Sequence, residues 1–554
     1  MNSSKFTLSP RYRILSGFLL CLLATTNPAA AQMASSTQPG VGYSGSMGSV
    51  TVGEEQLYRL AFRPDIPLGN WGLALDIELF LENDGSFSDR GWEFGTSAQT
   101  LDTILRKIYY LRYGRPKDDI YLKVGALDRV TLGYGLIVSG YRNTLQYPGI
   151  KKTGLEFKFD RLGSSSLGME GFINNFQDFQ EGGALVGLRL FGRPAGKLEL
   201  GLSYVVDLDQ YGGLLDRDGD GYPDGVDAFP NNKSKALDND RDGTADSEDL
   251  DDDNDGGVDI DAGSGLPQTT RDELERVSRD FTGFVVDRQV NRRNPFNKDA
   301  VGSDRFSVFG FDAAYPLIAK SLLKLKLYGQ LAILLDDEDE LSPEEAQAQG
   351  VDAGNRKAEG MGIAAPGLWL DAGPLEGQIE FRYFQDDFDA GYFDNLYELD
   401  RARLNAQTGR ATPKDALLQR QETLSGVFGR LGTELGDFLY AEADYQYLTG
   451  ADDPKQQLHA LARLSDGLLE NIPRLSHAQA YYQKNNIGVG LNEQGLDKDD
   501  FLESTEDTFY GYLVGLEMSS GVSLLWDTRF VFERDADRQL GRKKITTLET
   551  VFSF

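Results

Sequence analysis

Between residues 216 and 259 the aspartates are spaced as oxygen donors around an ion. Asp216, Asp218, Asp220, Asp224 and Asp227 supply carboxylates at positions 1, 3, 5, 9 and 12 of a loop, with Gly221 at position 6 and a main-chain carbonyl on offer at Tyr222. Ca²⁺ takes six to eight oxygens in flexible geometry, and a glycine at the sixth place permits the sharp turn such a loop needs. The pattern recurs with Asp238, Asp240, Asp242, Asp246 and Asp249 around Gly243. A third copy runs Asp251, Asp253, Asp255 and Asp259 around Gly256, but Ala262 stands where its last acid belongs, leaving Asp252 or Asp261 to substitute. The expected cofactor is Ca²⁺.

These copies, followed in the first by Phe229-Pro230-Asn231, resemble thrombospondin type 3 repeats over 216–262, without the cysteines of the animal form. The resemblance implies calcium held by the aspartates and a stiff segment when loaded. The alternative is an acidic loop that only solvates and repels. From Asp207 to Ala262 there are 19 acidic against 4 basic residues, about half the imbalance behind the net charge of -31. Such a chain lacks the basic face that a phosphate backbone requires, so no nucleic-acid partner is expected.

Other chemistry is sparse. The only cysteine is Cys21, and the only histidines are His459 and His477. A hydrolase would need one of these histidines as base, and neither comes with a serine on a strained turn. Leu132-Gly133-Tyr134-Gly135-Leu136 is no nucleotide fingerprint, and its glycines read as bends in a strand. No enzyme activity is expected.

The elements that must carry the loop begin after a leader. Lys5, Arg11 and Arg13 precede the apolar run Ile14–Ala24, and Ala29-Ala30-Ala31 offers a cleavage site, so 1–31 reads as a secretory signal. A short N-terminal segment, 32–54, follows. From 55 to 554 the chain repeats strands of about ten residues that alternate apolar and polar. Leu323, Leu325, Leu327, Leu331 and Ile333 interleave with Lys324, Lys326, Tyr328 and Gln330, and Ile379, Phe381 and Tyr383 interleave with Gln378, Glu380 and Arg382. A soluble sheet with one wet face shows the same alternation. The strand length, its repetition over about 500 residues and the final Leu548, Phe552 and Phe554 on one face instead resemble Gram-negative outer-membrane β-barrels of porin type.

The expected fold is therefore all-β, a transmembrane antiparallel barrel of about 18–20 strands with long extracellular loops. Twenty strands are read, among them 130–141; leaving out 457–466 and 475–483 gives eighteen. The long connections 208–303, 334–359, 387–421 and 484–507 follow odd-numbered strands and should lie outside the cell, while 83–102 breaks that rule. The expected partners are outer-membrane lipid, the barrel-assembly machinery through the strand ending in Phe554, and small hydrophilic solutes passing through a polar lumen. A surface structural or adhesive protein anchored by the barrel is the second reading, and an outer-membrane hydrolase the third.

Overall fold

The computed structural model describes residues 42–553 except 53–54, 82–85, 89–91, 93, 96–99, 101–102, 105, 117, 146–149, 164, 181, 262–263, 291–292, 337–342, 352–356, 406–407, 419–420, 437, 451–453, 470, 488–500, 502, 506, 520–521 and 535–539. The leader, Ala262 and Phe554 lie outside the described residues.

One sheet dominates, with 22 strand segments. Trp71–Leu75 and Ile77–Leu81 both pair with the preceding strand and form one wall strand interrupted at Asp76, and Phe87–Ser88 is a short extension at its rim. Twenty wall strands remain among the described residues. They are β1 (Gly42–Val52), β2 (Glu55–Leu68), β3 (Trp71–Leu75 with Ile77–Leu81), β4 (Ile108–Tyr113), β5 (Ile120–Gly125), β6 (Gly154–Phe159), β7 (Leu167–Ile173), β8 (Leu185–Ala195), β9 (Leu198–Asp207) and β10 (Phe306–Lys320). The second half comprises β11 (Leu323–Asp336), β12 (Gly360–Ala372), β13 (Leu375–Asp386), β14 (Gln421–Leu435), β15 (Leu439–Thr449), β16 (Lys455–Leu464), β17 (Leu475–Ile487), β18 (Thr508–Ser519), β19 (Val522–Arg534) and β20 (Leu540–Ser553). Each pairs antiparallel with its neighbour in sequence, and β20 pairs with β1 from Ser44↔Ser553 to Ser49↔Leu548, so the sheet closes on itself. Closure joins the two end strands of the sheet; among the described residues, Ile77–Leu81 is flanked on the side away from β2 only by Phe87–Ser88.

Alternation decides which face is which. Along β10, Phe309, Phe311 and Tyr315 are exposed on the outside while Val308, Gly310, Asp312 and Ala314 are buried within. Leu202 on β9, Ile379 and Phe381 on β13, Val427 on β14 and Trp526 on β19 continue the outer apolar belt. Inside stand Arg189, Gln330, Glu380, Arg382 and Gln446. A continuous exposed belt of large apolar side chains on a closed sheet is the surface of a membrane-spanning barrel, because hydrocarbon, and not water, is the solvent it suits. No helix among the described residues is long and apolar enough to cross a membrane.

Two readings of the sequence are corrected. Residues 42–52 within the supposed N-terminal segment 32–54 are wall strand β1: Gly42-Tyr43-Ser44-Gly45-Ser46 carries little alternation, and pairing on both sides holds it in place. Conversely, 130–141 is not in the wall. Its apolar residues alternate, but Gly133, Gly135 and Gly140 take positive φ values of 59°, 89° and 66°, a conformation that breaks a strand. The two errors offset in the total. With Gly42–Val52 in the wall, the connection following Leu81 follows an odd-numbered strand like the other long ones. The longest connection after an even-numbered strand is 465–474. The stretches 457–466 and 475–483, without which the count would be eighteen, fall on the wall strands β16 and β17.

Candidate functional site

The acidic loop leaves the wall at the end of β9, on the side of the long connections, and its copies share one backbone design. The carboxylate at position 1 accepts from the glycine N–H at position 6: Gly221 N to Asp216 Oδ2 is 2.9 Å, Gly243 N to Asp238 Oδ2 is 3.0 Å and Gly256 N to Asp251 Oδ2 is 2.9 Å. The position-9 carboxylate accepts from the N–H at position 2: Arg217 N to Asp224 is 3.0 Å, Asn239 N to Asp246 is 2.8 Å and Asp252 N to Asp259 is 2.8 Å. Positive φ falls at position 4 (Gly219 72°, Arg241 67°, Asn254 54°) and position 6 (Gly221 95°, Gly243 95°, Gly256 89°) of each copy. Arginine tolerates the first of these poorly, so the fold imposes it.

This winding brings the expected ligands together. One carboxylate oxygen from each of Asp216, Asp218 and Asp220 lies within 4.8 Å of the others, and the same holds for Asp238, Asp240 and Asp242 and for Asp251, Asp253 and Asp255. Asp227, 8 % exposed, and Asp238, 7 % exposed, each keep a buried oxygen with no hydrogen-bond donor. Burial, against a hydrogen bond from Phe229 N, raises Asp227 to about 6, and the carboxylates of Asp220, Asp218 and Asp224 add to the rise. Crowded carboxylates with orphaned oxygens fit a hard cation, which relieves both the repulsion and the missing donor. Asp224 and Asp246 brace the loop as well: each holds a backbone N–H, and Asp224 also faces Arg217 Nε at 2.8 Å. Asp249 accepts from Asp251 N at 3.0 Å, which links the second copy to the third. Tyr222 donates its N–H to Asp220 at 2.8 Å.

The third copy has a residue that sequence spacing did not reveal. Val258–Asp259 pairs in parallel with Val286–Asp287, and Asp287 thereby joins Asp253 and Asp259 in a further carboxylate cluster. Nothing local marks Asp287, which returns to the loop only after the helix Gln268–Asp280.

The second feature is in the lumen. Residues 126–145 leave β5 and cross the interior. Arg129 pairs with Glu442 of β15 at 2.6 Å, Gln330 of β11 accepts from Tyr134 N and Leu136 N, Gln378 of β13 donates to Tyr134 O at 2.9 Å, and Arg529 of β19 donates to Leu145 O at 2.5 Å. Residues 387–402 pack on the crossing segment, with Val138 bridged to Phe393 and Gly391 N donating to Leu136 O at 2.8 Å. Leu136, Val138, Tyr141, Phe393 and Tyr397, each essentially inaccessible, form one core with Phe306, Phe384 and Leu424 of the wall. A second core of Tyr211, Phe296, Ala346, Val351, Ala402 and Ala411 binds three long connections into a cap.

Charges lock these pieces. Lys152 lies 2.5 Å from Glu398, which also accepts from Tyr141. Burial opposes charge on Glu398, yet the cations of Lys152 and Arg401 outweigh it and hold the carboxyl down at about 2. His459 of β16 has Nδ1 2.9 Å from Asp444 and Nε2 3.2 Å from Asn485.

No family model and no curated protein matches the chain. Solved structures do. Wzi, an outer-membrane carbohydrate-binding β-barrel involved in group 1 capsule assembly in Escherichia coli, is 12% identical, with 100% of this chain and 89% of that one covered, at TM-score 0.28. OccK5 (OpdH) of Pseudomonas aeruginosa is 7% identical over 93% and 96%, at TM-score 0.30. The FrpB iron transporter of Neisseria meningitidis is 9% identical over 94% and 82%, at TM-score 0.32. At such scores no likeness carries weight, and the wall is established by its own pairing.

Proposed function

We propose that this chain resides in the outer membrane of a Gram-negative-type cell and passes small hydrophilic solutes through a constricted lumen. The observation that supports this best is the closed wall of twenty strands with an apolar outer face and a charged inner face. A barrel of this strand number is wide enough for an aqueous lumen, and the crossing segment then sets the size limit. Lipid contacts the belt. The short turns face the periplasm and the cap faces outward, and the segment 540–554 addresses the assembly machinery. The reading assigns no catalysis to the chain.

The acidic loop is read as calcium-binding. Asp216, Asp218, Asp220 and Asp227 would hold one ion and Asp238, Asp240 and Asp242 another, with the carbonyl of Tyr222 completing the first. Asp251, Asp253, Asp255, Asp259 and Asp287 are left for the third copy.

Conductance of the purified protein in planar bilayers tests the channel. Small, discrete steps are expected. Their absence would favour the second reading, a surface protein anchored by the barrel, which the apolar core inside the lumen supports.

A further inference from the structure

On the short-turn side of the crossing segment lies a cavity of about 350 Å³. That is the size of a small-ligand pocket. Thr131, Tyr134 and Ser139 of the crossing segment form one side of it, and β6 to β9, β11 to β14 supply the rest. Its walls carry five cations (Lys158, Arg189, Arg193, Lys326 and Arg430) against three acids (Asp160, Glu170 and Glu199).

Most of these charges are already matched. Arg189 reaches Asp312 at 2.6 Å, Glu170 at 3.0 Å and Glu199 at 3.2 Å. Arg193 reaches Glu199 at 2.8 Å, Lys158 reaches Asp160 at 3.4 Å, and Arg430 meets Glu442. Lys326 differs: among the described residues no carboxylate stands within ion-pair distance of it, and its ammonium lies 5.1 Å from the Trp369 ring and 5.9 Å from the Tyr134 ring. Tyr134 is fixed in turn by stacking on Tyr328 at 4.1 Å and by the Gln378 hydrogen bond to its carbonyl.

We propose that this cavity binds a small polyhydroxylated carboxylate, a molecule of sugar-acid type. Lys326 takes the carboxylate. Trp369 offers a flat apolar face to the ring's C–H groups. The hydroxyls meet Thr131, Ser139 and the carboxylates of Glu170 and Glu199, acceptors to which a plain aromatic acid has no hydroxyl to donate. The proposal rests on the lumen reading above, because ligand must reach the cavity through water.

Equilibrium dialysis of the full-length protein in detergent with labelled glucuronate tests it, with unlabelled glucose and benzoate as competitors. Saturable glucuronate binding is expected, with glucose and benzoate each at least about tenfold weaker. Lys326→Met should weaken binding about ten- to a hundredfold, the range for a lost charge-assisted contact. Trp369→Phe should weaken it less and leave the order of the competitors unchanged. Unsaturable binding, equal competition by glucose, stronger competition by benzoate, or unaltered affinity in both variants would overturn the proposal. Should Lys326→Met fail to assemble, the competition series and Trp369→Phe still decide. Conductance without glucuronate binding removes this site and leaves the channel; binding without conductance does the reverse.

Discussion

Arg401 grips Asp207 with two hydrogen bonds of 2.6 Å each, and neither side chain touches solvent. Asp207 ends β9, and Arg401 belongs to the connection that packs on the crossing segment, so the pair fastens the cap to the wall. Removing one partner strands a buried charge, a loss of roughly 3–5 kcal/mol. Arg401→Ala is predicted to speed hydrogen exchange across 387–402 and to raise single-channel conductance. Unchanged exchange would show that the apolar core alone holds this connection.

Calcium should protect the acidic loop from trypsin, which can cut at Arg217, Lys233, Lys235 and Arg241, and chelation should abolish the protection. Asp218→Asn and Asp240→Asn should each weaken it for their own copy. Asp287→Asn should lower the calcium stoichiometry measured by titration calorimetry while leaving Arg217 and Arg241 protected. Equal cutting rates with calcium and with chelator would dispose of the calcium reading.

Asp415 is 2 % exposed, and burial followed by the nearby Asp336 carboxylate raises it to about 7, against a hydrogen bond from Gln210. An unfolded aspartate titrates near 3.9, so between about pH 4 and 7 the folded state holds a proton that the unfolded state releases. Stability of the 387–418 region should therefore fall as pH rises through that window and level off above it. Asp415→Asn should flatten the dependence and stabilise the region at pH 8, by at most about 4 kcal/mol. Hydrogen exchange corrected for its intrinsic pH dependence reads this directly; an equal pH slope in the variant would contradict it.

Leu202 sits at the middle of β9 and is 50% exposed on the outer face. Leu202→Arg should destabilise the barrel in lipid by roughly 2–4 kcal/mol. Reversible unfolding from phospholipid vesicles measures it. A cost near zero would mean that this face does not meet hydrocarbon.

Alternation made most of the wall legible, because a strand between lipid and water repeats every second residue. It failed at β1, whose glycines and serines are held by two neighbours and not by their own faces. It misled at 130–141, where the apolar residues serve a core inside the lumen and the glycines turn the chain out of any strand. The three carboxylate clusters of the acidic loop were legible because their spacing is local. Asp287 was not, since only the parallel pairing of Val258–Asp259 with Val286–Asp287 brings it back. The cavity was equally hidden: Lys326 and Trp369 come from adjacent strands, but Tyr134 arrives from a segment read as wall.

The pairing of β1 with β20 makes the wall depend on contact between segments about 500 residues apart in sequence. Among the described strands, β1 has one row of backbone donors and acceptors that only Leu548 to Ser553 satisfy. A chain shortened before residue 540 would lose the strand that joins β19 to β1, and with it the seam that turns a ribbon into a cylinder.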